Sequence, residues 1–223
     1  SVVQSQARFS YGEVDRALER ADHPKGTMLS SLAAIAQSFR SQRLAAGALE
    51  LNRPELKVNV DPDGRISVSV GPVSTPARRL VAEFMIQANR LFGEFCRDNG
   101  VPAVFRSQGA ANLDDLSEMS NEVVWTYRVM RRLRPSDLDV EPKPHSSLGV
   151  PVYLQAASPL RRYPDLVMQH QLANFLREGK PLYRRDTMAQ VIYWAEERLR
   201  DLAKLEEERK RYWLLKYLRT RLG

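Results

Sequence analysis

Ala157-Ser158-Pro159-Leu160-Arg161-Arg162-Tyr163-Pro164-Asp165 sets two arginines in a tight bend just ahead of a helix. Ser158-Pro159 opens the bend. Pro164 suits a first helical turn, where a missing N–H costs nothing because that donor has no partner inside the helix. Helix-start amides and guanidinium forks together make a site for an anion. Asp165 can hold one guanidinium in place and leave the other free for a phosphate. On chemistry alone two assignments stay open: a phosphate site, or a surface turn closed by a salt bridge.

Outward from the bend, Val150 to Gln155 reads as a strand, and the helix after Asp165 runs to about Arg177 with Gly179 as its stop. A long charged helix is expected from Asp186 to about Thr220. Toward the N-terminus, Pro-rich Arg134 to Pro144 reads as a polar connection, and Asn112 as the cap of a helix reaching roughly Leu133. Val101 to Arg106 reads as a short strand. Thr75-Pro76 starts the clearest helix, with Leu80, Val81, Phe84, Met85, Ala88, Leu91, Phe92 and Phe95 as its apolar stripe and Gly100 at its end. Leu56 to Val60 and Arg65 to Val70 alternate around Asp61-Pro62-Asp63-Gly64, which predicts a hairpin. Met28 to Leu44 has helical spacing. Ser10-Tyr11-Gly12-Glu13 is a capping box for a short helix to about Arg20, and Val2 to Phe9 reads as a strand before it.

The chain has 223 residues, 43% hydrophobic and 27% charged, a balance that excludes a disordered or collagen-like chain. No run approaches the roughly 20 apolar residues of a membrane-spanning helix. One cysteine, Cys96, excludes an internal disulfide framework and a cysteine-based zinc site, and favours a reducing, cytoplasmic setting. Ser1 to Gln6 has neither the charged nor the apolar region of a cleavable signal. The net charge is +7, with arginines bunched at Arg78-Arg79, Arg131-Arg132-Leu133-Arg134, Arg161-Arg162, Arg184-Arg185 and Arg209-Lys210-Arg211. Gathered into one cleft, such charge attracts a polyanion; on separate helix faces it does nothing but solvate.

Other chemistry is thin. Asp61 and Asp63 are explained by the hairpin turn, Asp114-Asp115 by a helix dipole, and Asp137 and Asp139 by a solvated loop. No phosphate loop, dinucleotide turn or His-Glu-x-x-His is present. His23, His145 and His170 are far apart in sequence, with His170 expected on a half-buried helix face, and no nucleophile elbow accompanies them.

Tyr153 through His170, centred on Ser158-Pro159-Leu160-Arg161-Arg162-Tyr163, resembles the C-terminal signature of the ribonuclease II / ribonuclease R family. Arg8 to Val14, Gly47-Ala48-Leu49-Glu50, Leu80 to Asn89, Pro102 to Gln108 and Arg211 to Leu214 are similar to other family segments in the right order, so the resemblance covers nearly the whole chain. It implies an α+β fold: the second half of an RNB-type catalytic domain, a mixed sheet or barrel flanked by long helices. Residues 1–183 would belong to that domain, and 184–223 would form its terminal helix, leading toward an oligonucleotide-binding barrel. The implied activity is hydrolytic 3′-to-5′ degradation of single-stranded RNA to nucleoside 5′-monophosphates. The implied cofactor is Mg2+, held by aspartates expected in an upstream half of the same domain, which would also be the chain's partner. A monomer without membrane contact is expected, and the chain alone is expected to be inactive.

By resemblance, Arg161 contacts the scissile phosphate and Glu207 is an acid near the product end. Arg162 either holds an adjacent phosphate or pairs with Asp165; Tyr163 either stacks or packs; Ser158 caps the turn. Glu83 resembles an acid that hydrogen-bonds a ribose 2′-hydroxyl, and Tyr11 an aromatic near the reactive end of the RNA. Asn89 is expected to be structural. Gln155-Ala156-Ala157 and Pro164 depart from the family pattern without touching Arg161. The alternative, from a different functional class, is an RNA-binding regulatory protein of the same fold without catalysis, which lost aspartates upstream would indicate.

Overall fold

Ser10 and Glu13 exchange side-chain and backbone hydrogen bonds, and this capping box starts α1 (Tyr11–Glu19). A computed structural model describes residues 4–20, 23–51, 55–71, 74–116 and 122–222. Helix α2 (Gly26–Ala45) packs beside α1 and leads to the hairpin of β1 (Glu55–Val60) and β2 (Ile66–Gly71). Its register pairs Val58 with Val68, and Gly64 takes the left-handed conformation, φ +76°, that closes the turn. Thr75 accepts the Arg78 amide and Pro76 fills the first turn of α3 (Pro76–Asp98). Then come β3 (Phe105–Ser107), α4 (Glu122–Arg132), β4 (Asp137–Asp139), α5 (Tyr163–Glu178) and α6 (Arg185–Leu222). The class is α+β. Its strands form two separate antiparallel pairs among the described residues, β1 with β2 and β3 with β4, rather than one mixed sheet.

Several local expectations are corrected. Residues 4–9 form no strand, because among the described residues no segment supplies a ladder for their weak alternation, while Val2 and Val3 lie outside the described residues. Asn112 caps as expected, its side chain accepting the Asp114 amide at 3.1 Å, and the stretch expected as one helix holds a 3-10 turn over Asp114–Leu116 and then α4, with 117–121 outside the described residues. The Pro-rich connection contains β4, which three residues of sequence cannot announce. Residues 150–154 are extended but join the strands only through single bridges, Leu154 to Phe105 and Val150 to His145. His170 is exposed, not half-buried.

One apolar cluster gathers the end of α3, β3, the 150–156 segment, α5 and the start of α6: Cys96, Val104, Phe105, Val152, Leu154, Met168, Met188 and Val191 are all buried there. Buried amides staple these layers. Gln171 on α5 donates to the Pro102 and Tyr183 carbonyls at 2.8 and 3.0 Å and accepts the Tyr183 amide at 2.7 Å, so every polar group it brings inside is satisfied. Asn89 on α3 donates to the Tyr153 hydroxyl and accepts the Ala156 amide, which fixes the segment leading into the arginine bend. Asn89 is structural. Gly149, at φ +63°, lies so close to α2 that a Cβ would stand 2.5 Å from the Arg43 carbonyl oxygen, so glycine is required on both counts.

His145 is buried beside the Tyr153 ring, and burial, helped by the Arg106 cation, pushes its pKa down to about 4. A folded-state pKa below the unfolded 6.5 means that the unfolded chain binds the extra proton, so stability is full above pH 6.5 and falls as the pH drops toward 4. The loss attributable to this group is about 3 kcal/mol. Urea unfolding of the wild type and His145→Gln across that window should show the wild type falling more steeply with acid; parallel curves would remove His145 as the cause.

Candidate nucleic-acid interface

The bend begins with its own backbone. The Ser158 carbonyl accepts the Arg161 and Arg162 amides at 3.3 and 3.1 Å, and the Arg162 carbonyl accepts the Leu166 amide to start α5. Asp165 is 1% exposed. One of its oxygens, Oδ2, accepts the Ser158 amide at 2.8 Å and both Nε and a terminal nitrogen of Arg162 at 3.1 and 2.8 Å. Of the two roles open to Arg162, pairing with Asp165 is the one the geometry adopts. Arg161 points into solvent, its guanidinium making one long contact, 3.4 Å, to the Ser158 hydroxyl. Tyr163, 59% exposed, leaves its ring on the surface instead of packing it.

These residues form one wall of a cleft of about 410 Å³. The opposite side comes from α6, through Trp194, Arg198 and Leu199; Val104, Arg106 and Leu138 are also part of the lining. Four arginines, Arg106, Arg161, Arg162 and Arg198, line the cleft, and among the described residues Asp165 is the sole acid lining it. Arg106 is held by the Ser136 hydroxyl at 2.8 Å and the Gln155 side-chain oxygen at 3.0 Å. Burial, and after it the neighbouring Arg162 cation, lower its pKa. Trp194, 56% exposed, presents a ring next to these cations. Guanidinium groups and free aromatic faces in one groove are what a single-stranded nucleic acid requires, the former for phosphates and the latter for bases.

Three expected contacts lie elsewhere. Glu83 is buried, 5% exposed, and both of its carboxylate oxygens are taken by Arg43, one at 2.8 Å; Arg43 in turn holds the Leu148 carbonyl. The pair clamps α2 to α3 and leaves the acid no oxygen facing the cleft. Tyr11 starts α1, away from the cleft lining, with the Arg78 guanidinium 4.9 Å above its ring. Glu207 is an exposed residue of α6, about 14 Å along the helix from Arg198. Among the described residues no group of three His, Cys, Asp or Glu is placed to hold a metal ion, so nothing here fits the oxygen-rich set that magnesium requires.

Arg106, Trp194 and Arg198 escape a reading of the sequence. Arg106 lies in a stretch with the pattern of a strand. Trp194 and Arg198 stand four apart, on one helical face, which is the one signal the sequence offers; only the packing of α6 turns that face toward the bend.

An arginine-lined cleft beside an exposed tryptophan thus sits on an α+β scaffold of long helices and short antiparallel pairs. The family model described as RNB domain matches residues 1–127 and 111–178, and the chain belongs to that family. An uncharacterized ribonuclease of Synechocystis is 31% identical over all of this chain and 34% of its own length. Ribonuclease II, chloroplastic/mitochondrial, of Arabidopsis thaliana is 27% identical over 86% of the chain and 24% of its own length. The chain thus spans between a quarter and a third of these relatives. Among solved structures, an active-site mutant of the Dss1 exoribonuclease from Candida glabrata shares the fold at a TM-score of 0.88 and 24% identity, covering 97% of this chain and 30% of that one. Mycoplasma genitalium RNase R in complex with ribose-methylated single-stranded RNA shares it at 0.78 and 18% identity, covering 92% and 39%. Yeast Ssd1, a pseudonuclease, shares it at 0.58 and 14% identity, covering 84% and 28%.

Asp165 is the keystone of the bend, so Asp165→Asn should cost about 3 kcal/mol, since a guanidinium would lose its buried counter-charge. Urea unfolding measures this, and a change below about 0.5 kcal/mol would mean that the bend holds without the ion pair.

Proposed function

We propose that the complete protein is a hydrolytic 3′-to-5′ exoribonuclease that shortens single-stranded RNA to nucleoside 5′-monophosphates. Membership of the RNB family supports the class of activity, and the single observation that carries the site is the solvent-facing Arg161 on the rim of the arginine cleft. In such a hydrolysis the oxygen of water bonds to the phosphorus of the last linkage, the bond to the 3′-oxygen breaks, and negative charge grows on the non-bridging oxygens between the two events. A guanidinium brought against those oxygens stabilises the growing charge. In this assignment Arg161 meets the scissile phosphate, Arg162 and Asp165 keep the bend in shape, Ser158 closes it, and Tyr163 offers a stacking face. Tyr11, Glu83 and Glu207 are left out because they stand away from the cleft. Mg2+ belongs to the proposal as a group bound by residues of the complete protein beyond those described.

Residues 1–183 and the helix after them are proposed to be one domain with its terminal helix, which is supported by the place of Met188 and Val191 in the common core. We further propose a monomeric, cytoplasmic protein. No helix among the described residues is long and apolar enough to cross a membrane. Burial pushes the Cys96 thiol up to about 12, which leaves it unreactive.

A second possibility, RNA binding without cleavage, is favoured by the fold shared with yeast Ssd1, a pseudonuclease. Magnesium-dependent release of mononucleotides from poly(A) by the complete protein separates the two, since a binder releases none. For the nuclease, Arg161→Ala should slow cleavage about a hundredfold or more while RNA affinity stays within a few fold. Wild-type turnover in that variant would end the assignment of Arg161.

A further inference from the structure

We propose that the C-terminal third of α6 is a second contact for single-stranded RNA, one that grips the strand outside the cleft; this rests on the cleft's being an RNA site. From Arg209 to Leu222 the helix carries six cations, Arg209, Lys210, Arg211, Lys216, Arg219 and Arg221, and no acid. That segment accounts for six units of the chain's net +7, so the remainder of the chain is almost neutral. Glu206, Glu207 and Glu208 end abruptly where the basic run starts, which is unlike the mixed charges of an ordinary solvated helix.

The segment also carries rings placed among its cations. Tyr212, Leu215, Lys216, Arg219 and Thr220 line a shallow hollow, and their spacing puts them on one helical face. Lys216 sits 5.0 Å over the Trp213 ring and Arg221 5.5 Å from the Tyr217 ring, while Tyr212 and Trp213 meet edge to face at 5.1 Å. Tyr212 is exposed, and Trp213 and Tyr217 are half-buried; cations interleaved with ring faces bind a strand through phosphate and base without reading its sequence. Helix-dipole complementarity explains a cation or two in the last turn but not the three at Arg209-Lys210-Arg211, more than two turns earlier.

Geometry joins this end to the cleft. Trp194 and Arg198 of the same helix line the cleft, and every residue from Glu197 to Tyr212 is exposed. The basic run begins about 16 Å beyond Arg198 and ends about 35 Å beyond it, on one rigid rod. A strand whose 3′ end sits by Arg161 must be longer than a few nucleotides to reach it, so the contact favours long RNA over short and keeps a shortening strand from leaving.

The test uses the complete protein in a chelator, so that nothing is cleaved, with fluorescent tetraadenylate and an oligoadenylate of about twenty nucleotides as probes. A triple variant, Lys216→Gln with Arg219→Gln and Arg221→Gln, keeps good helix formers; circular dichroism and thermal unfolding check that it folds. The inference expects roughly tenfold weaker binding of the long probe, unchanged binding of the tetramer, and a salt slope lower by about 2, given about 0.7 per phosphate neutralised on a single strand. Long-probe affinity and salt slope equal to wild type, with tetramer still bound, would overturn this inference alone. A wild type that binds neither probe would overturn the RNA-site assignment and this inference with it. If the variant instead lost capture by phosphatidylserine vesicles while its RNA affinity held, the segment would be a membrane-surface element and the inference would fail. If the variant does not fold, Arg209→Gln with Lys210→Gln, one turn or more from the helix end, is read by the same criteria.

Discussion

Asp165 is a buried carboxylate with three donors on one oxygen: a backbone amide from the start of the bend and two nitrogens of a single arginine. A buried charge left uncompensated costs several kcal/mol, so the Ser158 amide and the Arg162 guanidinium must stay where they are. Everything exposed at the bend inherits that rigidity. Arg161 gives its own amide to the Ser158 carbonyl and precedes the tethered Arg162, so its backbone is held while its side chain stays exposed. Of two adjacent arginines, one is thereby used for structure and the other left for a ligand.

The cleft itself depends on packing at a distance. Asn89 and Gly93 bring α3 against the 150–156 segment; at Gly93 a Cβ would stand 3.3 Å from a Val152 methyl. Gln171 then ties α5 to the chain entering α6. The effect is to set Trp194 and Arg198 opposite the bend. Burial and the nearby Arg162 cation both disfavour the charged form of Arg106, and Ser136 and Gln155 hold that guanidinium by hydrogen bonds. An anion entering the cleft relieves the repulsion between the two cations, which makes the site more favourable for a polyanion than for a single ion.

Helix α6 divides its work by position. Its first three turns are apolar where Met188, Val191 and Ala195 enter the core, its middle is solvated on all sides, and its end is basic and aromatic. The mean hydropathy of the chain, −0.43, hides this gradient entirely.

Whatever is local can be read directly from the residues. The capping box at Ser10 and Glu13, the hairpin around Gly64, the Thr75-Pro76 start and the bend with its Asp165 pairing all turn on contacts a few residues apart. Each is legible because sequence spacing is then nearly spatial distance. The strand expected from Val2 to Phe9 does not form over its described residues, because a strand needs a partner that local pattern cannot supply, whereas the far part of the helix expected from Asn112 is present as α4. At the site, the residues of the bend offer Asp165 as a partner for one of two adjacent arginines, and the fold decides that Arg162 takes it and Arg161 stays exposed. They say nothing of Arg106 and Arg198, 55 and 37 positions from Arg161, which come to face it, nor of Glu83, which turns to Arg43 instead. Those choices belong to the folded molecule, because they are made by the burial of whole helices against a common core.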